Sequence, residues 1–145
     1  MKPVNVGICG LGTVGGGTFN VLLRNADEIA RRAGRQIIVQ QIGARRDNPA
    51  CNTHGTAITR DIFEVATNPD IDIVVELIGG YDVAFKLVMT AIENGKHVVT
   101  ANKALIAVHG NEIFEAAQRN NVMVSYEASV AGGIPVVKAI REGLS

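Results

Sequence analysis

The sequence has few aromatic residues and no excess charge of either sign. Phe, Trp and Tyr make up 4% of its 145 residues, and 14 Lys and Arg residues are balanced by 14 Asp and Glu residues. Nucleic-acid binding needs a basic field, and single strands also need aromatic rings on which bases stack. We therefore do not expect nucleic acid to be the partner.

Cysteines and long apolar runs are also scarce. Cys9 and Cys51 have neither a metal nor a disulfide spacing, and the histidines at 54, 97 and 109 have no partner at ligand spacing. No apolar run is long enough to span a bilayer, and no signal peptide precedes the first apolar run. These absences favour a cytoplasmic protein with reduced thiols, structural or solvated histidines and no membrane contact.

Hydrophobic residues, at 47% of the chain, are sufficient for one domain with a sizeable core. Short apolar or β-branched runs predict strands at Val4–Cys9, Ile37–Ala44, Ile73–Ile78, His97–Thr100 and Val122–Ser125. Helical spacing and end signals predict helices at about Val14–Arg32, Asp61–Thr67, Ala84–Ile92, Glu112–Arg119 and Pro135–Arg141. The alternation predicts an α/β fold: a doubly wound, mainly parallel sheet with helices on both faces.

A glycine-rich turn joins the first predicted strand to the first predicted helix. Residues 10–15 read GLGTVG, which is the spacing GxGxxG. Gly10 would make the tight turn, Gly12 would let the backbone approach a pyrophosphate, and Gly15 would let the helix pack on the sheet. The free N–H groups and the positive end of the helix dipole would hold the phosphates. This context favours a Rossmann-type dinucleotide site over a glycine-rich turn without a ligand.

Two arginines and an aspartate follow the second predicted strand. In dinucleotide-binding domains an acidic residue at this place binds the adenosine ribose, but here Arg45 and Arg46 come first and Asp47 follows. A guanidinium binds a 2′-phosphate through paired hydrogen bonds, so the sequence favours NADP(H) over NAD(H). Two alternatives stay open: Asp47 binds the 2′-hydroxyl of NAD(H), or the arginines belong to a solvated loop.

The next two predicted strands end in residues that suit a ligand crevice, because the carboxyl ends of strands line such crevices in open α/β sheets. Gly79 and Gly80 end one of them, and Thr100 and Lys103 end the other. We assign Gly79 and Thr100 to the cofactor site, where a glycine lets the backbone pass close to the ligand. Lys103 would contact the cofactor or a substrate carboxylate, and the alternative is a solvated loop lysine.

The segment after the last predicted strand, SYEASVAGGIP at 125–135, is rich in small residues and poor in charge. Such a segment leaves main-chain carbonyls free for a hard cation or a substrate. A tight turn into the helix predicted from Pro135 is equally consistent with it.

Four segments together resemble homoserine dehydrogenase, in its N-terminal nucleotide-binding domain: GLGTVG, VVELIGG, GKHVVTANKALIA and YEASVAGGIP. The resemblance covers essentially the whole chain and is more specific than the glycine motif. Related Rossmann dehydrogenases of sugars and amino acids often carry an EKP-type signature after GKHV. The TANK sequence at this place favours the homoserine enzyme.

The resemblance implies a reaction and several site residues. The family interconverts L-aspartate 4-semialdehyde and L-homoserine with NAD(P)H, in threonine, methionine and isoleucine biosynthesis. Thr13 and Val14 match positions at the pyrophosphate, and Lys103 matches a lysine at the nicotinamide and the small amino-acid substrate. The resemblance also implies a sodium ion held by main-chain oxygens of Glu127, Val130, Gly132 and Ile134.

A complete family member continues into a substrate and dimerisation domain, so we expect residues 1–145 to be a truncated NAD(P)-binding domain. We expect the isolated chain to be inactive, because orienting a carbonyl and protonating the alkoxide need groups from that second domain. Because Met1 lies just ahead of the first strand, we expect the parent to be monofunctional, without a fused kinase. The resemblance implies that the parent is a homodimer. The alternatives are another Rossmann amino-acid or sugar dehydrogenase and a non-enzymatic NAD(P)-sensing module.

Overall fold

The computed structural model describes residues 2–10, 20, 24, 26–45, 53 and 55–126. Strands and helices alternate along most of these ranges, as the sequence predicts. In chain order the elements are β1 (Val4–Cys9), α1 (Ala26–Ala33), β2 (Ile37–Gly43), β3 (Ala57–Thr59), α2 (Ile62–Thr67), β4 (Ile73–Glu76), α3 (Val83–Glu93), β5 (His97–Thr100), α4 (Lys103–Arg119) and β6 (Val124–Tyr126).

The strands form one six-stranded sheet in the order β3-β2-β1-β4-β5-β6, and every neighbouring pair is parallel. From β1 the chain adds β2 and β3 towards one side of the sheet, and from β4 it adds β5 and β6 towards the other side. Right-handed crossovers then place the connection from β1 to β2 on one face and the later helices on the other. The predicted doubly wound, Rossmann-type fold is confirmed.

The core has two parts, one on each face of the sheet. Successive residues of a strand point to opposite faces, so Ile73 and Val75 belong to one cluster and Val74 to the other. The second cluster joins the sheet to α2, α3 and α4. Burying each such side chain stabilises the fold by roughly 1.5–3 kcal/mol. The apolar helix face predicted in α3 is fully buried: Ala84, Leu87, Val88, Ala91 and Ile92.

Two elements differ from the sequence prediction. The helix predicted at Glu112–Arg119 begins at Lys103, because Asn102 caps it: its Oδ1 accepts a hydrogen bond from the backbone N–H of Leu105 at 3.0 Å. Val108, His109 and Gly110 are weak helix formers and hide the helical pattern of its first half. Strand β3 was not predicted, since its three residues include no buried side chain and the strand is defined by its backbone pairing with β2.

The strands predicted at Val4–Cys9 and His97–Thr100 have the observed bounds, and the other boundaries shift by a few residues. The strands predicted at Ile37–Ala44, Ile73–Ile78 and Val122–Ser125 are observed at Ile37–Gly43, Ile73–Glu76 and Val124–Tyr126. The helix predicted at Asp61–Thr67 begins one residue later, since Asp61 caps it by accepting from the N–H of Phe63. Most of the helix predicted at about Val14–Arg32, and all of that at Pro135–Arg141, lie outside the described residues.

The amino ends of the strands carry a buried polar cluster. His97 at the start of β5 is 6% exposed, and its Nδ1 accepts a hydrogen bond from the backbone N–H of Met123 at 2.9 Å. Asp72 accepts from the N–H of Asn5 at 2.9 Å, and Lys96 donates to a carbonyl at 2.6 Å. Burial lowers the pKa of His97, and the charge of Asp72 opposes that shift only in part. His97 is therefore a structural residue that holds the amino end of β6.

We expect the free energy of unfolding of His97→Gln to fall less than that of the wild type when the pH is lowered. The pKa of the folded-state histidine lies below its ordinary value of 6.5, so the unfolded chain takes up a proton that the folded chain refuses. This contribution is present above pH 6.5 and is lost as the pH falls towards the folded-state pKa. Urea titrations at about pH 7.5 and about pH 5.5 measure the difference.

The matched control is His109→Gln, because the His109 ring stacks on Phe85 and its Nδ1 lies 3.2 Å from a carboxylate oxygen of Glu112, so this variant leaves the hydrogen bond of His97 in place. We expect this control to lose more unfolding free energy between the two pH values than His97→Gln does. An equal loss in His97→Gln and in the wild type would contradict the assignment.

Candidate active site edge

All six strands end on a single row of the sheet. The last residue of each strand is paired in register with the last residue of its neighbour. The segments that follow the strands therefore emerge side by side at one edge, which is where α/β sheets bind their ligands. In spatial order the row is Thr59, Gly43, Cys9, Glu76, Thr100 and Tyr126.

The direction of strand order reverses between β1 and β4, and Gly10 makes the turn at this point. Its φ is 109°, and its N–H donates to the carbonyl of Gly43 at 2.7 Å. A Cβ at Gly10 would lie 2.8 Å from the carbonyl oxygen of Leu77. Both the backbone angle and the close approach require glycine. The turn expected at Gly10 is present, whereas the cofactor positions Gly12, Thr13, Val14 and Gly15 lie outside the described residues.

A second glycine turn follows β4 at the same edge. Gly79 and Gly80 have φ values of 78° and 70°, and both are exposed. A Cβ at either residue would meet no atom of the described residues within 4 Å. A turn with this much room along its backbone fits a site that a ligand approaches along the main chain.

Beneath this turn lies a carboxylate that the sequence analysis missed. Glu76, at the end of β4, is fully buried, and its Oε1 accepts from the hydroxyl of Thr100 at 2.7 Å. Its Oε2 accepts from the backbone N–H of Ile78 at 2.9 Å. Burial and the charge of Glu76 raise the pKa of the Cys9 thiol, so this cysteine stays protonated. A single acidic residue inside the apolar run IVVELI was the signal in the sequence.

Thr100 faces inward rather than towards the edge. It is fully buried, its hydroxyl donates to Glu76, and the same oxygen accepts from the N–H of Asn102 at 3.0 Å. Only its main chain is therefore suited to a contact with a cofactor. The assignment of Thr100 to the cofactor site stays a prediction.

Lys103 is the first residue of α4, and its side chain is exposed at the edge. Asn102 fixes this helix start, since its side chain caps α4 and also donates to the carbonyl of Gly80. The first turn of α4 contains no acidic residue. A lysine at this place opposes the helix dipole, so helix stability does not favour it. Its ammonium group and the helix N-terminus together provide a positive field for an anionic group.

The ends of β2 and β3 provide a second positive region. Arg45 is exposed directly after β2, and Arg60 follows β3 and donates to the carbonyl of Ala44 at 3.1 Å. Sequence analysis missed Arg60 because the short strand before it was not predicted. Arg46 lies outside the described residues. The ends of β2 and β5 are three strand spacings apart, about 14 Å, so the edge suits a long ligand with an anionic group towards each end.

The described part of the chain contains no group of three or more histidine, cysteine or acidic residues that could hold a metal ion. The four residues expected to bind sodium, Glu127, Val130, Gly132 and Ile134, lie outside that part. None of the helices in the described ranges is long and apolar enough to cross a bilayer.

Comparisons with known proteins identify the family of this chain. The family described as homoserine dehydrogenase, NAD-binding domain, matches residues 10–127. The homoserine dehydrogenase of Pseudomonas aeruginosa is 76% identical over 145 residues, and that of Neisseria gonorrhoeae is 52% identical over 148 aligned positions. Each match covers 100% of this chain but only 33% and 34% of the relative, so the chain spans about a third of their length.

Solved structures give the same result. The crystal structure of a homoserine dehydrogenase from Thiobacillus denitrificans has a TM-score of 0.84 at 61% identity, covering 99% of this chain and 34% of that one. A homoserine dehydrogenase of S. aureus has a TM-score of 0.80 at 35% identity, covering 89% of this chain and 33% of that one. The sequence resemblance is confirmed: this chain belongs to the homoserine dehydrogenase family and corresponds to its NAD-binding domain.

Proposed function

We propose that this chain is the cofactor-binding part of an enzyme that interconverts L-homoserine and L-aspartate 4-semialdehyde with NAD(P)H. The observation that carries the proposal is the carboxyl edge of the sheet. There Gly10 and Gly79 turn at the reversal point between β1 and β4, and basic side chains follow β2, β3 and β5. Family membership favours this enzyme over a non-enzymatic sensing module.

The residues of this chain bind and orient the reactants. We assign the turn at Gly10 and the loop that follows it to the pyrophosphate, because backbone N–H groups at this place suit phosphates. The Gly79–Gly80 turn and Lys103 lie towards the other end of the edge, and we assign them to the nicotinamide and the substrate. A nicotinamide cofactor, when bound, supplies or accepts the hydride. The Lys103 ammonium would hold an anionic group of the substrate or the charge that develops on its oxygen.

The remaining catalytic groups belong, in this proposal, to a further part of the polypeptide, since the relatives are about three times as long. That part would also form a homodimer in the cytoplasm. Main-chain oxygens of Glu127, Val130, Gly132 and Ile134 would hold a sodium ion between the two parts. Such an ion would brace their junction rather than take part in the chemistry.

We also propose that the cofactor is NADP(H) rather than NAD(H). Arg45 and Arg60 support this, because both guanidinium groups emerge from adjoining strand ends, where an adenosine ribose lies in this fold. Arg46 is the third arginine of this proposed phosphate site.

Calorimetric titration of the purified chain should show tighter binding of NADPH than of NADH. We expect Arg45→Ala to weaken NADPH binding about tenfold and to leave NADH binding unchanged, because only NADPH carries the 2′-phosphate. The matched control is Arg119→Ala, an exposed arginine at the far end of α4. Equal affinities for both cofactors, unaffected by Arg45→Ala, would assign this arginine to the solvated surface instead.

Substitution of Lys103 should weaken NADPH binding without lowering the free energy of unfolding. We expect Lys103→Gln to leave the free energy of unfolding unchanged or to raise it by roughly 0.5 kcal/mol, because it removes a positive charge from a helix N-terminus. The same variant should bind NADPH more weakly. Lys86→Gln, at an exposed lysine within α3, is the control and should bind NADPH normally. Normal NADPH and substrate binding by Lys103→Gln would remove Lys103 from the site.

The isolated chain should not oxidise homoserine at a measurable rate, although it binds the cofactor. Orientation of the substrate and transfer of its hydroxyl proton require groups beyond one exposed lysine. The assay follows the absorbance of the reduced nicotinamide, and calorimetry on the same sample confirms that NADPH binds. Turnover matching that of the complete Pseudomonas aeruginosa relative would show that this chain contains the whole catalytic site.

A further inference from the structure

Glu76 places a charged side chain in the core, at a position where an apolar side chain could pack instead. It is fully buried, and the other residues of β4 are apolar and fully buried. Removing a carboxylate from water is unfavourable unless hydrogen bonds compensate, whereas a β-branched apolar residue would carry no such cost. The proposed binding and chemistry assign no part to this group.

The hydrogen bonds of Glu76 connect two loops that are distant in sequence. One carboxylate oxygen accepts a hydrogen bond from the N–H of Ile78 in the loop after β4. The other accepts one from the hydroxyl of Thr100 at the end of β5. The hydroxyl oxygen of Thr100 in turn accepts a hydrogen bond from the N–H of Asn102. The Asn102 side chain then reaches back to the carbonyl of Gly80. The chain of contacts therefore starts and ends in the loop after β4.

This hydrogen-bond network positions two features of the carboxyl edge that side-chain packing does not position, the Gly79–Gly80 turn and the start of α4. Gly79 and Gly80 carry no side chain, and no atom of the described part of the chain lies within 4 Å of the place that a Cβ would take. Lys103 is exposed, and the position of its backbone follows from the cap that Asn102 provides. A carboxylate below the edge thus controls both the glycine turn and the start of α4.

We propose that Glu76 is a positioning residue for the nicotinamide end of the cofactor site. Acting through Thr100 and Asn102, it holds the Gly79–Gly80 turn and the start of the helix that carries Lys103 in their binding arrangement. The buried carboxylate touches no ligand itself. This inference rests on the proposed function, since it assumes that the nicotinamide binds above these two loops.

The two ends of the site should respond differently when the network is broken. Arg45 and Arg60 follow strands on the other side of β1, whereas the hydrogen bonds described for Glu76 lie within the loops after β4 and β5. A ligand that has only the adenosine half should therefore bind independently of Glu76. A ligand that includes the nicotinamide should depend on it.

The test compares two ligands on the purified chain by calorimetry: NADPH, and 2′-phospho-adenosine diphosphoribose, which lacks the nicotinamide. In Glu76→Gln one acceptor oxygen becomes a donor, so either the Ile78 N–H or the Thr100 hydroxyl loses its partner. We expect NADPH binding to weaken about tenfold and binding of the nicotinamide-free ligand to stay within about twofold of wild type.

Thr100 supplies a second test that keeps the carboxylate. Thr100→Val keeps the shape of the side chain and removes the hydroxyl, so it should reproduce the selective loss of NADPH binding. Thr100→Ser keeps the hydroxyl and should restore NADPH binding. This pair decides the question even if Glu76→Gln does not fold, which thermal unfolding of each variant would reveal.

His97→Gln is the control for general destabilisation, because it breaks a buried hydrogen bond at the opposite edge of the sheet. We expect it to lower the unfolding temperature without changing the ratio of the two affinities. Equal weakening of both ligands in Glu76→Gln and Thr100→Val, or no weakening at all, would overturn the positioning role. A wild-type chain that binds the nicotinamide-free ligand but not NADPH would also overturn it. Failure of both ligands to bind the wild type would overturn the proposed function, and this inference with it.

Discussion

The parallel pairing of β1 with β4 determines where the rest of the chain lies. Cys9 and Glu76 end these strands in register, and the N–H of Leu77 donates to the carbonyl of Cys9 at 2.9 Å. From this pair the strand order runs outward in opposite directions, so the connections cover opposite faces. The segments that follow β1 and β4 consequently start side by side. A Cβ at Gly10 would lie 2.8 Å from the carbonyl oxygen of Leu77, although the two residues are far apart in sequence.

Sequence reasoning identified the parts of the fold that depend on local pattern. The apolar runs of β1, β4 and β5, the buried face of α3 and the glycine turn at Gly10 can all be read from residue order. Local pattern could not give β3, a three-residue strand defined by its backbone pairing with β2. It also missed the first half of α4, since the side chain of Asn102 begins the helix among weak helix formers.

The site was predicted less completely, because its contacts cross between strands. Lys103 follows a recognisable strand and could be placed at the edge from sequence. The bond between Glu76 and Thr100 depends on the register of β4 with β5, which no local pattern reveals. Arg60 depends on β3 in the same way. Residues whose role comes from a neighbour across the sheet become visible only when the sheet is known.

The common row on which the strands end also separates positions where substitutions weaken the fold from positions where they have little effect on it. Positions within the ladder are constrained by pairing and by the core, so most substitutions there weaken the fold. Arg45 lies just beyond the ladder with an exposed side chain, where substitutions have little effect on stability. If the proposed phosphate site is correct, a lineage could therefore alter which cofactor it prefers by drift at such a position, while its core remains under unchanged selection.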